Sequence, residues 1–167
     1  MLSRRTITSS ILALTIIGVS ATSASAATSS ATLTVTATVA TSCAITGGTL
    51  AFGNYDPLSA TPKDASLIID ATCAKGTTYN IGLGLGGHAS LTTRKMEDED
   101  GDLLTYELYS DSNRSVVWGE TIGTDTVSFT AADFNPKNFT VYGRIFAQQD
   151  VDVDVAYADT VAITITF

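Results

Sequence analysis

The chain offers few side chains that could carry out acid–base or nucleophilic chemistry. His88 is the single histidine among 167 residues. A Ser–His–Asp or Cys–His mechanism needs that histidine beside a nucleophile, and no serine stands in a G-x-S-x-G elbow or a similar frame. Paired carboxylates could hydrolyse a glycoside, but nothing singles out one pair among the 17 acidic residues. We therefore expect His88 to be a loop residue, and we expect no catalytic residue and no enzymatic activity.

Two acidic segments are candidates for binding a metal. Residues 97–102 (EDEDGD) have the oxygen density of a calcium loop, but they lack the distal glutamate and the full spacing of an EF-hand. Asp150, Asp152 and Asp154 fall on one face of an extended segment. A charged edge that discourages wrong strand pairing explains those three as well as a metal does. The sequence thus predicts no metal site and no cofactor, and leaves calcium at residues 97–102 as an alternative.

Three aromatic residues could form a sugar-binding platform. These are Trp118, Tyr106 and Tyr109. Buried sandwich cores use such residues more often than binding surfaces do. We expect all three in the core.

The first 26 residues have the pattern of a secretory signal peptide. Arg4 and Arg5 precede a short apolar run over residues 11–19, and Ala24-Ser25-Ala26 supplies a cleavage site. The run is too short to span a bilayer, and no other segment is long and apolar enough. Without the two arginines, seven basic residues remain against 17 acidic ones, a formal charge of −10. This acidity argues against nucleic acid or anionic lipid as a partner.

Cys43 and Cys73 are the two cysteines of the chain. In an oxidising compartment two cysteines allow one connectivity, so we expect a disulfide between them. Closing a loop of roughly 30 residues stabilises a fold by about 3–4 kcal/mol on the chain-entropy model. A pair of free reactive thiols is the alternative, although the spacing matches no CxxC or metal motif.

Short alternating segments indicate the elements that must position any site. In residues 65–73, Leu67 and Ile69 fall on one face and Ile68 on the other, which is the period of a strand with one buried face. Further strands are predicted over residues 43–45, 79–85, 103–109, 116–119, 127–129, 139–149 and 161–167, with a turn over 133–138. Glycines occupy the face opposite Tyr79, which indicates close backbone approach. No helical periodicity extends over ten residues after the signal peptide, and this pattern predicts an antiparallel β-sandwich.

Residues 28–40 alternate most strictly and have no obvious partner. Leu33, Val35, Ala37 and Val39 share one face, and threonines occupy the other. The sequence also ends on an alternating strand, whose apolar residues are Val161, Ile163, Ile165 and Phe167. A detachable first strand and a fold that stops on a strand together suggest a module completed by a neighbour.

Several stretches, in order, resemble the spore coat protein U domain of archaic (Csu-type) chaperone–usher pilins. They are Cys43-Ala44-Ile45, Leu50 through Pro57 (LAFGNYDP), Cys73 through Tyr79 (CAKGTTY), Arg94-Lys95-Met96, Leu103 through Tyr109 (LLTYELY), Trp118-Gly119, Val141 through Ile145 (VYGRI) with Gln148-Gln149, and Tyr157 through Val161 (YADTV). Each fragment alone is weak, but eight in sequence are specific. Residues 150–155 depart from that family in being more acidic and less glycine-rich.

The resemblance implies an incomplete immunoglobulin-like sandwich that lacks its final strand. The expected organisation is a signal peptide (1–26), a donor-strand extension (27–40) and a pilin domain (41–167). Leu33, Val35, Ala37 and Val39 would be the donor residues, and Val161, Ile163, Ile165 and Phe167 would belong to the strand beside the acceptor groove. The expected partners are neighbouring pilin subunits, a periplasmic chaperone and an outer-membrane usher, on the way to a surface pilus.

The leading functional hypothesis is a structural pilin, as a shaft subunit of a fibre for attachment and biofilm formation. A spore or cell-coat protein that uses the same strand exchange is one alternative. A monomeric secreted module that binds calcium or sugar is the other.

Overall fold

The computed structural model describes residues 25–153 and 156–167. The predicted signal peptide lies outside these residues except for its last two positions, and so does Asp154. The chain divides into two compact units at residue 37. Within the first unit, residues 25–37 form no strand, and the sandwich belongs to the second unit. No helix in the described part of the chain is long and apolar enough to cross a bilayer.

The described residues form eight strands and no helix. The strands are β1 (Cys43–Thr46), β2 (Lys63–Cys73), β3 (Thr78–Leu83), β4 (Arg94–Glu97), β5 (Leu103–Tyr109), β6 (Val127–Thr130), β7 (Lys137–Ile145) and β8 (Ile163–Thr166). Five strands pair in the order β1-β2-β7-β5-β4, and the other three pair in the order β6-β3-β8. All neighbouring strands are antiparallel. The prediction of an all-β antiparallel sandwich is confirmed.

The core lies between the two sheets. Its buried members include Ile69, Tyr79, Ile81, Leu83, Leu104, Tyr106, Leu108, Trp118, Val141 and Ile145. The alternation in β2 works as expected, since Ile69 is buried and Ile68 is exposed. The glycine face of β3 has the close backbone approach that its glycines predict, because a Cβ on Gly82 would lie 2.9 Å from the Cα of Glu120.

The disulfide between Cys43 and Cys73 is confirmed. These two residues lie directly opposite each other in the β1–β2 ladder. The disulfide therefore fixes the edge strand β1 to the long strand β2.

The strands predicted over 79–85 and 161–167 are shorter in the structure, Thr78–Leu83 and Ile163–Thr166, so Val161 and Phe167 lie just outside β8. Three other strand predictions differ more. Residues 116–119 form a single bridge, Tyr109 to Val117, because this segment bonds to both sheets in turn. Trp118 N donates to Leu108 O, and Gly119 O accepts from Leu83 N. The strand predicted over 139–149 runs instead from Lys137 to Ile145. Its ladders with β2 and β5 both end at Ile145, and the positive φ of Gln148 is incompatible with a strand further on.

The third difference concerns residues 28–40, where the structure has no strand. A single extended segment has no partner for its backbone hydrogen bonds, so alternation alone does not make a stable strand. Conversely, β4 was not predicted, because its sequence RKME carries no alternating apolar pattern.

Candidate functional site: a cleft between the sheets

An open cleft of about 920 Å³ lies between the two sheets. Its lining includes apolar core residues from both sheets: Leu67, Ile69, Met96, Leu104, Tyr106, Leu108, Val141 and Ile145 from the five-stranded sheet, and Leu83 and Ile163 from the other. Protein interiors are close-packed, and voids larger than a water molecule are few. The cleft is therefore a part of the hydrophobic core that the chain does not fill.

One rim of the cleft is the segment that follows β1. Leu50 and Phe52 pack over Gly143 in β7, where an added Cβ would lie 2.7 Å from Cζ of Phe52. Because Gly143 has no side chain, Leu50 and Phe52 can lie flat on the sheet. Tyr55 fixes its far end, since its hydroxyl donates to Phe146 O at 2.9 Å and accepts from Gln149 N at 3.0 Å.

The Gln149 side chain continues this support. Its Oε1 accepts from Thr105 N at 2.8 Å, and its Nε2 donates to Thr105 O at 2.8 Å. The side-chain amide of Gln149 thus takes the place of a backbone partner beside β5, just beyond the end of strand β7.

The opposite rim is residues 156–163, where a buried tyrosine meets a carboxylate. The Tyr106 hydroxyl donates to Asp159 Oδ2 at 2.6 Å. Asp159 Oδ1 accepts from Gly87 N and Thr160 N, each at 2.7 Å. Burial, and secondarily the bond to Asp159, raises the pKa of Tyr106 far above its ordinary value. The hydroxyl therefore remains a hydrogen-bond donor and positions the rim.

Arg94 joins the two walls of the cleft. Its side chain is fully buried, and it pairs with Glu107 of β5. It also donates to three backbone carbonyls, Leu83 O at 2.7 Å, Trp118 O at 2.8 Å and Gly84 O at 2.9 Å. Four of the five N–H groups of a guanidinium are thereby used. This guanidinium, the Arg94 fork, connects β4 and β5 with the end of β3 and so links the two sheets.

Strand β1 is an edge of the five-stranded sheet and β8 is an edge of the three-stranded sheet, and these two edges lie close to each other. A Cβ on Gly47, next to β1, would lie 3.5 Å from Cδ1 of Ile163 in β8. Strand β8 pairs with β3 on one side, and in the described part of the chain no strand pairs with its other side. An unpaired strand edge presents a row of backbone donors and acceptors that can accept a further strand.

The structure places the predicted site residues as follows. Val161 and Ile163 line the cleft, and Ile165 packs against the core from β8. Phe167 is half-exposed.

The four predicted donor residues are exposed. Leu33, Val35 and Val39 have 84%, 82% and 87% of their surface accessible, and Ala37 is also exposed. Large apolar side chains in strict alternation without burial are unusual for a monomeric protein.

The candidates for chemistry have structural roles. His88 Nδ1 lies 2.8 Å from Glu97 Oε2, and both side chains are partly exposed. Trp118, Tyr106 and Tyr109 are buried, so they form no sugar platform and the prediction of a core role is confirmed. The acidic segments converge, because Asp98 and Asp102 come together with Asp152.

Sequence reasoning missed the rim residues and the Arg94 fork. Arg94, Tyr106 and Asp159 stood in the motifs that resembled the pilin family, but no spacing rule assigned them a partner. The contact between Phe52 and Gly143 had two signals in the sequence: Phe52 is followed by a glycine, and Gly143 is the glycine of the VYGRI motif.

Comparison with known proteins identifies relatives of this chain. A family model described as Spore Coat Protein U domain matches residues 29–164. Protein U of Myxococcus xanthus is 37% identical over 133 residues, which cover 72% of this chain and 73% of that protein.

A similar fold occurs in the crystal structure of the CsuC–CsuE chaperone–tip adhesion subunit pre-assembly complex from archaic chaperone–usher Csu pili of Acinetobacter baumannii. The TM-score is 0.57 at 20% identity, and the match covers 78% of this chain. The chain spans 40% of the length of that solved chain. The likeness confirms an immunoglobulin-like fold.

Proposed function

The chain belongs to the Spore Coat Protein U domain family, and on that premise we propose that it is a structural subunit of a surface fibre assembled by strand exchange. Residues 27–40 of one copy act as the donor extension, and residues 41–167 form the domain that accepts the donor of the next copy. The fibre is a pilus, and this chain is a shaft subunit that supports attachment and biofilm formation.

The observation that supports this proposal best is the unfilled core. The cleft is lined by apolar residues of both sheets, among them Ile163 of β8, and β8 has one edge that no strand of the described residues pairs with. A strand laid along β8 would gain backbone hydrogen bonds and would insert alternate side chains into the cleft. This is the binding mode in which main-chain bonds give affinity and side-chain pockets give specificity.

The exposed alternating segment has the right chemistry for that occupant. Full burial of Leu33, Val35, Ala37 and Val39 contributes about 5–8 kcal/mol at usual side-chain values. Each ladder hydrogen bond adds about 0.5–1.5 kcal/mol net. A slip by one residue would place threonines in the cleft, so the register is strongly set.

The geometry of exchange determines the kind of assembly. Donor and acceptor are different parts of one chain, so each contact is heterologous and leaves one donor and one cleft free at the ends. Such contacts extend into an open filament unless the rotation closes a ring.

Export and assembly require partners that keep the cleft occupied. An exposed apolar cleft and a free strand edge favour aggregation. We infer a periplasmic chaperone that occupies the cleft during export and an outer-membrane usher that replaces it with the donor of the next subunit. The structural relative was solved as a complex of a chaperone with a pilus subunit, which supports the first of these partners.

The test is assembly of the mature chain, residues 27–167, with matched substitutions on the two faces of the donor. Val35→Asp places a carboxylate in the cleft and is expected to abolish polymers that resist salt and detergent but dissociate on heating. Thr36→Asp adds the same charge on the opposite face and is expected to leave assembly nearly unchanged. Circular dichroism checks that both variants keep the sandwich. Equal assembly of the two variants would contradict donor-strand exchange.

A coat protein that uses the same exchange is the second candidate. The family description and the 37% identity to Protein U favour it. Electron microscopy of producing cells distinguishes the two: labelled filaments that project from the surface support a pilus, and a continuous labelled layer supports a coat.

A further inference from the structure

Two acidic segments that are distant in sequence meet near the rim of the cleft. Asp98 and Asp102 lie in the loop between β4 and β5, and Asp152 lies in the segment after β7. One carboxylate oxygen from each residue lies within 4.8 Å of the other two. Asp152 also lines the cleft.

Asp98 provides a second and independent observation. Only 7% of its surface is accessible. Its Oδ1 accepts from Asp100 N at 3.0 Å and Asp102 N at 2.8 Å. Its Oδ2 is buried and has no hydrogen-bond partner among the described residues. Buried polar atoms are rarely left unpaired, so an oxygen in this position indicates a missing ligand.

The Asp102 carboxylate is held in place by its neighbours. Its Oδ2 accepts from Asp152 N at 2.9 Å and from the Tyr157 hydroxyl at 2.7 Å, and its Oδ1 accepts from Leu103 N at 2.9 Å. These bonds orient the carboxylate, as ligand carboxylates are oriented when surrounding donors fix them.

We propose that Asp98, Asp102 and Asp152 form a calcium site that links the β4–β5 loop to the segment beside the cleft. The donor set is all oxygen, which suits a hard cation and not zinc, which favours nitrogen and sulfur ligands. Calcium accepts six to eight oxygen ligands in flexible geometry, so water completes the shell around three carboxylates. Magnesium requires a near-ideal octahedron. The proposal does not depend on strand exchange.

The affinity should be that of an exported protein in millimolar calcium. Three carboxylates, one of them exposed, correspond to a Kd of about 10⁻⁴–10⁻³ M, the range of extracellular modules. The EF-hand spacing that residues 97–102 lack is not needed, because the third ligand comes from Asp152.

The test is calcium titration of the chelator-treated mature chain by isothermal calorimetry, with a parallel melting curve. We expect one site and a rise in Tm with CaCl₂ that NaCl of equal ionic strength does not reproduce. Asp98→Asn keeps the acceptor for the two loop amides and is expected to weaken binding about tenfold or more, since ligand charge sets affinity. Asp152→Asn, at an exposed residue, should weaken binding as well.

Asp100→Asn is the matched control. It removes the same charge from the same loop, but its carboxylate is outside the cluster, so its binding curve should match that of the unmodified chain. Absence of a titratable site up to about 10 mM calcium, well above the expected range, would overturn the proposal. Equal affinities of the Asp98→Asn and Asp100→Asn variants would overturn it too.

Discussion

Replacing Arg94 by methionine should destabilise the sandwich far more than the same replacement at Arg144. The Arg94 fork is fully buried, and its loss leaves the Glu107 carboxylate without its cationic partner and three backbone carbonyls without the N–H groups of Arg94. Breaking a buried ion pair by removing one partner costs about 3–5 kcal/mol. That is a large part of the roughly 5–15 kcal/mol that stabilises a typical domain. Arg144 pairs with Asp64, but these side chains are 30% and 35% exposed. Exposed pairs contribute about 0–1 kcal/mol.

Urea unfolding followed by the fluorescence of buried Trp118 measures both changes. The experiment uses the Val35→Asp background, so that assembly does not contribute to the unfolding free energy. Arg94→Lys keeps the charge but lacks the planar fork. Its unfolding free energy should therefore fall between those of the unmodified chain and Arg94→Met, which keeps the test informative if the methionine variant does not fold.

A double-mutant cycle separates the ion pair from the carbonyl contacts. Adding Glu107→Gln to Arg94→Met removes the uncompensated charge, so it should restore about 0.5–3 kcal/mol of the loss, the range of coupling for contacting residues. Losses at Arg94 and Arg144 that agree within about 0.5 kcal/mol, the usual error of such comparisons, would refute the view that this fork holds the cleft walls together.

Two further predictions concern the rim and the pH dependence. Gly143→Ala should cost about 1–3 kcal/mol of unfolding free energy, since its Cβ overlaps the Phe52 ring. Adding Phe52→Leu should recover part of that loss when unfolding is measured in urea. No recovery would contradict the contact. Hydrogen bonds to Asp111, foremost from Val116 N, lower the pKa of that carboxyl below its ordinary 3.8. The contribution of Asp111 to stability is thus present above about pH 4 and is lost as the pH falls through the lowered pKa. A midpoint at or above 3.8 in an NMR titration of this carboxyl would contradict the contribution.

Local sequence patterns were sufficient to predict the fold class and most strand faces. Alternation is a local property with a period of two, so Ile69 could be placed inside and Ile68 outside without knowledge of the topology. The cysteine count likewise predicted the disulfide, with free thiols as the alternative, since two cysteines allow only one pairing. Alternation also indicated the donor segment. A local pattern does not tell which molecule's core buries Val35, so burial in a neighbouring copy stays a proposal.

The position of the cleft and the residues that surround it follow from the tertiary structure. Its walls come from strands of both sheets, and the acceptors of Arg94 lie up to 24 residues away along the chain. Asp102 and Asp152 are 50 residues apart, and Asp159 meets Tyr106 across 53. Contacts over such separations depend on strand order and register, which single-sequence periodicity does not encode. The unfilled core is a property of the packed sheets. In the sequence, each predicted strand that lines the cleft has the pattern of an ordinary strand with one buried face, so the pattern does not reveal the gap.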